Sequence, residues 1–247
     1  MKRLLATILL LHSFLFVLSA LDLRGAIHVD TYAGTPSVGF SFLAQERIAS
    51  ILSMRAQADY LSANSYEVQT MVVGSLSRFI FGGGFAMGIK AGTEHPMAPG
   101  VGALFGMRIT SRLDTEASAQ LTFSPINLNR VHDLRAKLKF IYKTDNAVAT
   151  MGYNLLKGFS TTDFVNSLYM NVDAFEADFP IGLTLGSSID FFFTPSDRGL
   201  DVHMLGGVTF ITKKYGTYFS KVKMGVLNHQ PDKGLPFDIA VGASFSL

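Results

Sequence analysis

Alternation with a period of two runs through nearly the whole chain and constrains the fold more than any short motif does. From Val101 to Leu113 one phase reads Val, Ala, Phe, Met, Ile, Ser, Leu and the other Gly, Leu, Gly, Arg, Thr, Arg. Successive side chains of a strand point to opposite faces, so this is a strand with one greasy face and one polar face. Leu134, Ala136, Leu138, Phe140 and Tyr142 alternate in the same way with Arg135, Lys137, Lys139 and Lys143. Fourteen such segments are expected, at 21–31, 37–44, 51–61, 68–81, 84–91, 100–113, 116–124, 133–143, 147–156, 167–175, 179–193, 200–213, 217–227 and 237–247. In thirteen the apolar phase holds no charged residue. In the fourth, Arg78 falls in phase with Val72 and Leu76, so a bulge is expected to exchange the faces there.

Two architectures alternate like this, a soluble sandwich and a barrel with lipid outside. Length separates them: ten residues at about 3.3 Å each, tilted by roughly 40°, cover the ~25 Å apolar band of a membrane barrel. Loop lengths agree. Short turns are expected after even strands, at Gly82–Gly84, Asp114-Thr115, Asp145-Asn146, Glu176–Asp178 and Tyr215-Gly216. Longer loops follow odd strands, at Gly92–Pro99, Pro125–His132, Lys157–Asn166 and Asn228–Pro236. Membrane barrels have this asymmetry, and sandwiches have no reason for it. Aromatics on the apolar phase gather at both ends, with Phe40, Tyr60, Phe123, Tyr153, Phe193 and Phe237 toward the longer loops. Phe81, Phe85, Tyr142, Phe179, Phe210 and Phe245 lie toward the short turns, giving two interfacial girdles. The expected fold is all-β, a transmembrane antiparallel up-and-down β-barrel of fourteen strands. Twelve is the rival number, if strands four and five or ten and eleven are misdivided.

Residues 1–20 stand apart as a signal peptide: Lys2-Arg3, an apolar stretch from Leu4 to Leu18, then Ser19-Ala20. The barrel domain is then 21–247. Of 21 Lys and Arg residues the leader holds two, leaving 19 against 19 Asp and Glu. A neutral chain is not held to nucleic acid by bulk charge. With no Cys, a disulfide scaffold, a thiol enzyme and lipoprotein anchoring are excluded.

At the C-terminus Phe237, Ile239, Val241, Ala243, Phe245 and Leu247 alternate to the final residue. The spacing of Gly242, Phe245 and Leu247 resembles the assembly signal in the last strand of bacterial outer-membrane β-barrel proteins, although Ala240 and Leu247 depart from its commonest form. In size and strand number the chain is similar to monomeric general-diffusion porins, and equally to spirochaetal outer-membrane barrels. That resemblance implies a bacterial outer-membrane location with both termini periplasmic, contact with membrane lipid, and delivery through the barrel-assembly machinery. The long loop that latches porin trimers is missing, which favours a monomer.

Lipid outside puts the polar phase inside. Fourteen strands enclose more space than side chains fill, and no loop exceeds about ten residues, so a water-filled pore is expected. Arg55, Arg108, Arg112, Arg135, Lys137, Lys139, Lys143, Lys221 and Lys223, with Asp190, are the expected pore-lining residues, and the basic excess leans the pore weakly toward anions. The expected function is passive diffusion of small hydrophilic solutes, without cofactor or metal. The alternatives are a surface-exposed binding, adhesion or structural barrel without an open pore, and a fatty-acid type channel for hydrophobic solutes. The pairs His28/Asp30 and His203/Asp201 could supply a general base. No nucleophile elbow, zinc helix or phosphate loop accompanies them, so no enzyme is expected.

Overall fold

The computed structural model describes residues 21–31, 36–62, 65–90, 97–124, 131–159, 164–176, 179–193, 198–212, 216–230 and 234–246. The leader, Leu247, Lys213, His95, Asp232 and most of the expected longer loops lie outside the described residues. Fourteen antiparallel strands follow in chain order: β1 (Leu21–Asp30), β2 (Ser37–Ala49), β3 (Leu52–Ser62), β4 (Ser65–Leu76), β5 (Phe79–Lys90), β6 (Met97–Arg108) and β7 (Leu113–Phe123). They continue as β8 (Val131–Lys143), β9 (Ala147–Gly158), β10 (Phe164–Glu176), β11 (Phe179–Phe193), β12 (Arg198–Thr212), β13 (Gly216–Leu227) and β14 (Phe237–Ser246). Each strand pairs with its sequence neighbours, and β1 pairs with β14 from Asp22↔Ser246 to Asp30↔Asp238, closing the barrel. Closure leaves no free edge along the ring.

The faces sort as the alternation requires. On β6, Val101 and Phe105 are exposed while the alternating Gly100, Gly102 and Leu104 are buried. Ile27, Val38, Leu183, Leu185 and Val241 are likewise exposed on the outer face. A continuous apolar exterior of this extent marks a surface made for hydrocarbon. Phe81, Tyr142, Phe179 and Phe210 stand exposed toward the short turns as that girdle requires, whereas Phe85, paired with Thr70 and Val101, is exposed at mid-strand on β5.

Four local expectations are corrected. The β4–β5 turn is at Ser77-Arg78, where Ser77 adopts φ 55°, and not at Gly82–Gly84. Those glycines lie inside β5, paired with Val73, Val72 and Met71 of β4. Arg78 thus belongs to the turn, no bulge is needed, and Val72 and Leu76 simply face outward. The β6–β7 turn spans 109–112: Ile109 N–H donates to the Leu113 carbonyl, and Thr110 Oγ1 accepts the N–H groups of Arg112 and Leu113. Asp114 is therefore a strand residue, and Arg112 a turn residue rather than a wall residue.

The fourth correction is Tyr60, expected in the outer girdle. The β2–β3 ladder stops at Phe42↔Ala58, so Ser37–Ser41 have no backbone ladder pairing with β3. Tyr60 fills this seam, 8% exposed, with its hydroxyl 2.7 Å from Ser37 Oγ and its ring 5.6 Å from that of His28. A Cβ at Gly39 would lie 2.1 Å from the Tyr60 ring, so the glycine makes the insertion possible.

The barrel is also sharply bent at one side. Cα atoms of β4 and β6, and of β5 and β7, come within 8 Å of each other. Strands two apart in a flat sheet are separated by about 9.5 Å. The inner faces of β5 and β6 in this corner consist largely of small residues, Gly82, Gly84, Ala86 and Gly88 beside Ala98, Gly100 and Gly102. Into the space they leave, Met71, Val73 and Leu104 pack as a small buried apolar cluster.

Candidate functional site: the barrel interior

The interior is built by register. On β8 the inward phase delivers Arg135, Lys137, Lys139 and Lys143, and β7 supplies carboxylates beside them. Lys139 Nζ donates to Glu116 Oε1 at 3.1 Å, the two residues being direct cross-strand partners. Lys143 Nζ donates to Asp114 Oδ2 at 2.6 Å, and Arg108 Nε reaches the other oxygen of Asp114 at 3.3 Å. Glu67 on β4, only 3% exposed, receives both Arg135 and Lys137 at 3.5 Å. Lys137 also lies 3.8 Å from Asp59 on β3.

These contacts cross the bent corner. Gln69 donates to Glu67 at 2.6 Å and to Gln120 Oε1 of β7 at 2.8 Å, passing over the small residues of β5 and β6. On the β3 side, Arg55 donates to Gln57, and Gln57 to Asp59. A polar bridge thus runs from β3 and β4 to β7 and β8 and fences off the β4–β7 sector of the lumen.

The remaining wall, from β9 to β13, has its own pairs. Lys221 Nζ lies 3.3 Å from Asp173, and Lys223 Nζ 4.0 Å from Asp190. The ring of His203, 1% exposed, also meets Asp190 at 3.1 Å. Near mid-height a cavity of about 480 Å³ opens on Asn154, Ser167, Tyr169, Asn171, Asp190 and Lys223. A second, of about 430 Å³, lies at the short-turn mouth on Asp22, Gln45, Arg47 and Ser53.

Apart from Arg55 on β3, Arg108 at the end of β6 and Arg112 in the turn, the expected wall residues fall in two groups, on β8 and on β11–β13, and each of the lysines has a carboxylate within 4.0 Å. The sequence reading missed Glu67, Asp114 and Glu116, which supply most of that countercharge on the β8 side. Glu67 fell one residue before the expected start of its strand, and Asp114 was placed in a turn. Extending the alternation by two residues finds Glu67 and Asp114, while Glu116 already opened the expected strand 116–124 in the inward phase.

The histidine pairs are also re-sorted. His28 Nδ1 faces Asp238 at 3.3 Å rather than Asp30, and its Nε2 is 2.9 Å from Ser41 Oγ. Ser41 Oγ in addition accepts the Tyr60 N–H at 3.2 Å. Asp201 takes His229, not His203, at 2.6 Å, with the His229 ring stacked on Phe192. Among the described residues no group of three His, Asp or Glu is arranged to hold a metal ion.

Of the C-terminal signal, Phe245 faces outward edge-on to Tyr218, with ring centroids 6.0 Å apart. Gly242 faces inward, where a Cβ would lie 2.2 Å from the Gly25 carbonyl oxygen and 2.5 Å from Phe219. The Phe219 ring is in turn covered by the Arg24 guanidinium at 4.8 Å.

No family model matches the chain, and no curated protein matches it in sequence. Solved structures do match in fold. The toluene transporter TodX of Pseudomonas putida superposes with a TM-score of 0.67 at 8% identity, covering 94% of this chain and 91% of TodX. The monoaromatic hydrocarbon channel CymD gives 0.58 at 8% identity, covering 93% and 88%. The porin KdgM, solved in complex with disordered oligogalacturonate, gives 0.53 at 12% identity, covering 92% and 99%. At such identities the likeness is one of architecture, and the architecture is that of the outer-membrane β-barrel.

Proposed function

We propose that the chain is an outer-membrane channel for passive diffusion of small hydrophilic solutes, inserted as a monomer after removal of residues 1–20, with both termini periplasmic. The observation that carries this reading is the division of faces: apolar residues outward, and amides, hydroxyls and paired charges inward on the strands flanking the small-residue β5–β6 corner and across the rest of the ring. A dry interior gains little from so many ion pairs, because desolvation offsets their attraction. A hydrated one keeps them at small cost. Arg55, Arg108, Arg135, Lys137, Lys139, Lys143, Asp190, Lys221 and Lys223 set the pore electrostatics in this reading, and their pairing supports an anion preference that is weak. Neither a cofactor nor a catalytic step has a part in it.

The polar bridge from Glu67 and Gln69 to β7 and β8 favours one further reading, a barrel shut at rest. Conductance decides between them. Protein extracted from outer membranes and inserted in a planar bilayer under a salt gradient should give discrete current steps with a small anion-side reversal potential. A folded, heat-modifiable barrel without current would sink the channel and leave a surface or structural barrel.

A further inference from the structure

We propose that the β9–β12 face of the lumen is a binding site for an uncharged, polyhydroxylated solute of sugar size; the proposal rests on the channel reading and names its substrate class. The site is built by two glycines. A Cβ at Gly152 on β9 would fall 2.3 Å from the Tyr169 ring, and one at Gly186 on β11 would fall 2.1 Å from Asn171 Oδ1. Tyr169 and Asn171 on β10 therefore fold sideways into the room left on neighbouring strands instead of projecting across the lumen. The cavity of about 480 Å³ in front of them stays open, within the roughly 300–1,000 Å³ common for small-molecule sites.

Its chemistry is specific. The carboxamides of Asn154 and Asn171 and the hydroxyl groups of Ser167 and Tyr169 each both donate and accept. That mixture matches a run of hydroxyl groups, every one of which needs both. The charges in the wall cancel: Lys223 lies 4.0 Å from Asp190, and the His203 ring takes a second position on that carboxylate at 3.1 Å. Neither an anion nor a cation finds a free countercharge there, and an apolar solute would strip the amides of their water without replacing it. The bridged β4–β7 corner across the barrel confines passage to this side, so a permeating solute meets the site.

The test uses full-length protein extracted from outer membranes and reconstituted in planar bilayers. Glucose, added in steps, should reduce the ion current saturably, while a polyethylene glycol of matched size gives only the linear viscosity effect. The variants N154L and N171L should each weaken the apparent glucose affinity at least tenfold, relative to the sugar-free current of the same variant. A linear response equal to that of the polymer overturns the site while the channel stands. Gluconate binding more tightly than glucose overturns the uncharged class, since it would require a free lysine. If no current is seen, the channel reading fails by itself. Saturation-transfer NMR of glucose with detergent-solubilised protein then decides the site: transfer lost in N171L supports it, and no transfer to the wild type overturns it.

Discussion

Lys137 on β8 and Glu67 on β4 meet at 3.5 Å although three strands separate them along the wall. Only the bend over β5 and β6 brings their side chains into range, so the ion pair reports barrel shape as much as charge. Glu67 holds two cations here, Arg135 as well as Lys137. Replacing Glu67 by Gln should cost about 1–3 kcal/mol, below the value for a fully buried pair because both cations are partly solvated. The variant should also move the reversal potential toward anions. Reversing Lys137 and Lys139 to Glu should move it toward cations, and a potential unmoved by both changes would place these residues off the ion path.

The corner glycines predict a contrast between two conservative changes. A Cβ at Gly84 would lie 2.0 Å from the Thr70 carbonyl oxygen, which cannot move without breaking the β4–β5 ladder. At Gly102 the nearest atom is Met71 Cε at 2.6 Å, the free end of a flexible side chain. Gly84→Ala should therefore destabilise the barrel by about 1–3 kcal/mol, while Gly102→Ala stays below about 1 kcal/mol. Urea unfolding in lipid vesicles reads both, and equal losses would remove the corner as their cause.

Depth in the membrane predicts a gradient on the outer face. Leu185 is 69% exposed at mid-strand on β11, and Ile181 lies near the short-turn end of the same strand. Leu185→Arg should cost about 2–4 kcal/mol and Ile181→Arg about 0–1 kcal/mol. The opposite order in lipid-refolded protein would show that the apolar band is centred elsewhere.

The order Asp238, His28, Ser41 is that of a hydrolase triad, but its serine is already engaged. Ser41 Oγ accepts the Tyr60 N–H, tying β3 to β2 where their ladder has ended. Ser41→Ala should cost about 1–2 kcal/mol through the donor it leaves unpaired. A fluorophosphonate should add no mass to folded wild-type protein. A label on Ser41 would give the seam a chemical role in place of a structural one.

Much of this fold was legible because lipid imposes a simple rule on the outer phase. Strand β11 runs over the residues its alternation marks, 179–193, since nothing in that stretch competes with period two. Gly82–Gly84 misled because glycine carries a turn preference in sequence, while here it serves packing: Met71 and Val73 need the room that side chains on β5 would take. Tyr60 misled for a related reason, as the premature end of one ladder lets an outward residue enter the wall. The paired character of the lumen was hidden differently. Alternation places Lys137 inside, but only register and the bend show that Glu67 waits opposite it. The cavity on Tyr169 and Asn171 was likewise beyond reach, because it depends on glycines one strand away from the residues that use them.

Closure through β1 and β14 carries a consequence for the order of events in biogenesis. Asp22 hydrogen-bonds Ser246 from 224 positions away, so the ring cannot be completed until the last strand has left the ribosome. Every earlier stage has two unpaired strand edges and an apolar exterior facing water, a combination that invites aggregation. Closing the ring removes both edges at once, so the β1–β14 contact is the step that ends this exposure.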